Sequence, residues 1–67
     1  MFVKLDKDSW LNLTQAKSVW LEADRFDGAL KLCVVWLGDD PSGEFYQTPR
    51  YYVDKTCIAT LRAKLGA

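Results

Sequence analysis

No histidine occurs in these 67 residues, which removes the commonest general base and the usual activator of a serine or cysteine nucleophile. Cysteine is scarce as well, with only Cys33 and Cys57. Neither belongs to a Cys-x-x-Cys pair and both have apolar neighbours, so each reads as a small reduced hydrophobe, unbridged and without redox chemistry. An excess of one charge is also missing. Nine basic and nine acidic residues cancel, leaving no overall field to draw the chain to nucleic acid or anionic lipid. No segment approaches the roughly 20 apolar residues of a membrane span. The opening Met1 to Asp8 lacks the continuous apolar core of a signal peptide, so the expectation is a cytoplasmic protein with no membrane partner.

The remaining motifs are thin. Asp39, Asp40 and Glu44 could hold a hard cation, but their spacing fits no EF-hand loop and they surround Pro41 in a glycine-bounded turn. They read as a solvated loop, and no metal and no cofactor is expected. Gly38 and Gly43 have the glycine spacing of a phosphate-binding loop without the Lys-Ser or Lys-Thr that completes one. The chain therefore reads as non-enzymatic.

What is present is apolar surface. The composition is 49% hydrophobic, with three Trp, three Tyr and three Phe, too rich for a disordered chain. Residues 1–67 allow one small domain, which on folding covers only about 60% of the surface an extended chain exposes. Stability is marginal at this size, and association with a partner is a common way to raise it.

Alternation marks the strands. Phe2 to Asp6 sets Val3 and Leu5 against Phe2 and Lys4, and Lys7-Asp8 makes a polar turn into Ser9 to Leu13. A short connection at Thr14 to Ala16 precedes a third strand, Lys17 to Ala23, with Val19 and Leu21 opposed to Ser18, Trp20 and Glu22. Asp27-Gly28 supplies the positive-φ residue of a hairpin turn. Ala29 to Leu37 follows as a fourth strand, apolar on both faces. Gly38 to Gly43 is the clearest loop, a short fifth strand is expected at Glu44 to Gln47, and Pro49 ends it or marks an edge. The helix begins after Asp54, a good N-cap, with Val53 and Ile58 at staple spacing and Cys57, Ile58, Leu61 and Leu65 as its apolar stripe. Gly66 closes it. The fold class is α+β, an antiparallel β-meander of four to five strands with one C-terminal helix packed on one face.

That single helix is the difficulty. A strand such as Leu30-Lys-Leu-Cys-Val-Val-Trp-Leu37 needs cover on both sides. If the helix takes the face of Val3, Leu5, Leu11, Leu13, Val19 and Leu21, the opposite face keeps aromatic residues and half of the fourth strand. A patch of that size is rare on a monomer. The leading expectation is therefore a small protein-interaction or regulatory module, a homodimer or the partner of another protein, with Phe2, Trp10, Trp20, Val35 and Trp36 at the interface. The rival is single-stranded nucleic-acid binding by Tyr46, Arg50, Tyr51 and Tyr52, with Lys55 and Arg62 adding helix cations, because bases stack on aromatics beside positive charge. A third reading is an accessory protein of bacterial or phage origin, since short neutral chains of this kind are frequent there.

Overall fold

The structure is a computed structural model and describes residues 1–66. Five antiparallel strands and one C-terminal helix make an α+β fold. The strands do not form one continuous meander. β1 (Phe2–Asp6) and β2 (Ser9–Asn12) are a hairpin of their own, while β3 (Ala16–Ala23), β4 (Leu30–Trp36) and β5 (Arg50–Tyr52) form a second sheet in the order β3-β4-β5. The break falls at the corner after β2. Asn12 Oδ1 accepts the Thr14 amide at 3.0 Å and its hydroxyl at 2.7 Å, and the Ala16 amide donates to the Leu13 carbonyl. Such a side-chain turn redirects the backbone, so β3 leaves the hairpin instead of pairing with it.

Aspartates shape the other turns in the same way. Asp6 caps the β1–β2 turn through the Asp8 amide at 2.8 Å. Between β3 and β4, Asp24 accepts from the Phe26 amide and Asp27 from the Ala29 amide, both at 2.8 Å. Gly28 completes that turn at φ +70°, where a side chain would be strained.

The expected strand at Glu44 to Gln47 is not formed. The Gly43 amide bonds the Asp40 carbonyl and the Tyr46 amide bonds the Gly43 carbonyl, so successive turns occupy this stretch. Pairing begins after Pro49 instead. The Pro49 carbonyl accepts the Val34 amide at 3.1 Å, a role that needs no N–H, so the proline opens the edge strand β5.

The helix starts where the cap predicts. Asp54 Oδ1 accepts the Thr56 amide at 3.3 Å, the first turn (Lys55–Cys57) is 3-10, and α1 runs over Ile58–Leu65. Gly66 ends it at φ +75°, its amide turned back to Ala63 and Arg62 carbonyls. No helix among the described residues is long and apolar enough to cross a membrane.

Both sheets and the helix meet in one core: Val3, Leu5, Leu13, Leu32, Val34, Val53, Cys57 and Leu61, ringed by Leu11, Val19, Leu21, Trp36, Tyr51, Ile58 and Leu65. Full burial of each such side chain contributes about 1.5–3 kcal/mol. Two polar ties hold the hairpin to the rest. The Asp54 amide donates to the Leu5 carbonyl at 2.8 Å, and Lys64 Nζ donates to the Phe2 carbonyl at 2.9 Å.

Candidate functional site

Strand register sorts the side chains of the three-stranded sheet. Opposed residues share a face. Ser18 faces Val35, Trp20 faces Cys33, which faces Arg50, and Glu22 faces Lys31, which faces Tyr52, so these residues form the side away from the helix. Cys33 and Val35 are buried there, yet they stand apart from the core cluster. On this side the connection between β4 and β5 brings Tyr46, Gln47 and Thr48 beside Arg50 and Phe26 around a hollow of about 490 Å³. The Tyr46 hydroxyl is buried without a hydrogen-bond partner among the described residues. Burial, with the Asp39 charge second, pushes its pKa up. Burial likewise pushes up the Cys33 thiol, which keeps it protonated and unreactive.

The rest of this face is a closed charge network. Lys31 Nζ lies 2.7 Å from Asp24 and 3.6 Å from Asp27, and 4.4 Å above the Tyr52 ring. Tyr52 donates its hydroxyl to Asp27 at 3.0 Å. Arg50 reaches Glu22 at 3.4 Å and Asp24 at 3.8 Å. The Lys31 ammonium, helped by the Phe26 amide, holds the Asp24 carboxyl at about 2, below its ordinary 3.8. The Ala29 amide and then the Tyr52 hydroxyl lower Asp27. Two cations therefore sit among three carboxylates, and none of the charge is left over for a polyanion.

This geometry divides both groups of residues anticipated from sequence. In the interface set, Phe2 and Trp10 are exposed on the outer face of the hairpin, Trp10 with Lys4 5.8 Å from its ring. Trp20 lies on the other sheet and is 37% exposed. Val35 is buried under its own chain, and Trp36, one residue on, points the opposite way and packs on the core. Adjacent strand residues cannot share a face, so Val35 and Trp36 do not belong to one patch. In the nucleic-acid set, Arg50 and Tyr52 share the charge network while Tyr51 packs on the core between them. Tyr46 lies over the outer side, Lys55 in the 3-10 turn and Arg62 beside β3. No single surface gathers them.

The sequence reading missed the open edge of β3. The Asp24 amide bonds the Ala29 carbonyl. By the alternation of an antiparallel ladder, the pairs Glu22/Lys31, Trp20/Cys33 and Ser18/Val35 then exchange bonds across to β4. Val19, Leu21 and Ala23 direct their N–H and C=O groups the other way, and among the described residues no strand lies on that side. Beside this edge runs an open groove of about 380 Å³ lined by Val19, Trp20, Leu21, Leu30, Leu65 and Arg62. Arg62 makes no ion pair among the described residues. The signal in the sequence was weak: Lys17, a residue type that guards edges, at the start of an otherwise ordinary amphipathic strand. No protein-family model, curated protein or solved structure matches the chain.

Proposed function

We propose that this chain is a small non-catalytic interaction module that binds by strand addition along the free edge of β3. The observation that carries the reading is the edge itself. It is eight residues long, apolar at Val19, Trp20 and Leu21, and bordered by an apolar groove. An extended segment laid along it satisfies the outward amides and carbonyls and sets alternate side chains into the groove. Natural sheets blunt such edges with proline, charge, bulges or a covering element. Here a bulge and Lys17 guard the beginning, between Ala16 and Ser18, and from Ser18 to Ala23 the only charge is Glu22. A cytoplasmic setting suits two buried free thiols.

Amide exchange read by NMR tests the proposal. An extended synthetic peptide with alternating apolar residues, titrated into the protein, is expected to slow exchange at Val19, Leu21 and Ala23. Trp20 and Glu22, already bonded to β4, are expected to stay unchanged. Unaltered exchange at all five at millimolar peptide removes the proposal. The nucleic-acid alternative has less behind it, because the Arg50 and Lys31 charges are matched within the chain.

A further inference from the structure

We infer that the strand added to β3 is the β3 of a second copy of this chain, running antiparallel about a two-fold axis at Trp20. The inference rests on the strand-addition reading above and names its partner.

Three features of β3 lead there. First, the outward-facing residues alternate, so a two-fold register must oppose one of them to another. An axis at Trp20 does this, setting Val19 against Leu21 of the second copy and Leu21 against its Val19. Secondly, charge is distributed unequally along the strand, with Lys17 at its start and Glu22 near its end. Lys17 falls in the bulge between Ala16 and Ser18, which lets its side chain share the side of Ser18. There its charge is the smallest of the influences lowering the Asp40 pKa, and Glu22 faces that side too, opposite Lys31. Antiparallel addition about Trp20 sets Lys17 opposite Ala23 and Glu22 opposite Ser18 of the other copy. Each Lys17 is then a diagonal neighbour of a Glu22 that Arg50 already pairs from within its own chain, and the contact is between unlike charges. Parallel addition sets lysine beside lysine and glutamate beside glutamate, and shifting the axis to Leu21 turns Lys17 toward Arg25. Thirdly, the two sides match. Trp20, 37% exposed on the outer side, meets its counterpart on the axis, while Val19 and Leu21 of each copy close the groove of the other above Leu30 and Leu65.

The outcome is a continuous six-strand sheet, β5-β4-β3 running into the same three strands reversed. In this register the paired segment runs from Lys17 to Ala23 within β3 and spans roughly 23 Å at about 3.3 Å per residue.

Directly opposed residues in a non-hydrogen-bonded antiparallel pair lie about 4.5 Å apart at Cα, within disulfide reach. Trp20→Cys is therefore expected to give a covalent dimer on mild oxidation. Ala23→Cys, six positions from its copy in this register, is expected to remain uncrosslinked, and Cys33 and Cys57 are buried. Wild-type protein at high concentration is expected to sediment as a dimer and, in a mixture of isotope-labelled and unlabelled chains, to show contacts between Val19 of one copy and Leu21 of the other. Equal crosslinking of both variants overturns the register. A wild type that stays monomeric at millimolar concentration overturns the second copy as partner. If the synthetic strand still protects Val19, Leu21 and Ala23 in that monomer, strand addition stands and only the self-pairing falls. If it does not, both fall.

Discussion

The two edges of the three-stranded sheet are finished differently. β5 has only three residues, opens after a proline and carries Arg50, and the chain that leaves it is bonded at once to β1 through Asp54 and Leu5. β3 has eight residues, is apolar at its centre and pairs with no strand on its outer side among the described residues. Both edges flank the same buried strand, β4, and differ in length and charge. An edge that is short, charged and tied down resists pairing. One that is long and open invites it.

The severest way to break the contrast is to weaken the strand that both edges share. Leu32 is fully buried on β4, and Leu32→Ala is expected to cost about 2–5 kcal/mol in urea unfolding. On a marginal fold that removes both edges together. Leu21→Pro acts on one edge only. The Leu21 N–H points away from β4, so the change leaves the β3–β4 ladder intact and costs only about 1–2 kcal/mol for the smaller side chain. Its association, read by sedimentation, is expected to fall at least tenfold.

Asp24→Asn sharpens the comparison from the charged side, where β5 is anchored through Arg50. The Asp24 carboxyl titrates at about 2 in the folded chain against 3.8 ordinarily. Its contribution to stability is thus complete above pH 3.8 and disappears as pH falls from there toward 2. The variant is expected to be less stable at pH 7 and to show a flatter decline across that window in acid titration followed by circular dichroism. The smallest effect belongs to Trp10→Ala on the hairpin, 59% exposed and remote from both edges. It is expected to change stability by no more than about 0.5 kcal/mol and to leave sedimentation unaltered. A loss of association in that variant transfers the docking surface to the hairpin.

Local signals in the sequence were reliable. The alternation of Val3 with Lys4 and of Val19 with Trp20, the Asp27-Gly28 turn, the Asp54 cap and the Gly66 stop all describe what forms, because each depends on residues a few positions apart. The α+β class and the aliphatic core under Leu61 follow from them. Strand order did not follow. The Asn12 and Thr14 side chains announce a turn but not that β3 parts from the hairpin, and in Lys17 to Ala23 only Lys17 hints at an edge. Glu44 to Gln47 resembles a strand in its β-favouring residues, but the Asp40-Pro-Ser-Gly turns decide its path. The demand of β4 for cover on both faces was read correctly. Cys33 and Val35 are already buried within the single chain, so at that part of β4 the cover needs no partner. The candidate site was illegible because an open edge is defined by what fails to lie beside it.

The bond from Lys64 to the Phe2 carbonyl joins residues 62 positions apart. During synthesis the first hairpin emerges long before its anchoring lysine, its Asp54 tie or the leucines that roof it exist. Val3 and Leu5 then wait, wetted, until translation has passed residue 64. The hairpin's inner face thus gains its full cover only when the C-terminal helix is present, since Leu61 belongs to the same cluster as Val3 and Leu5.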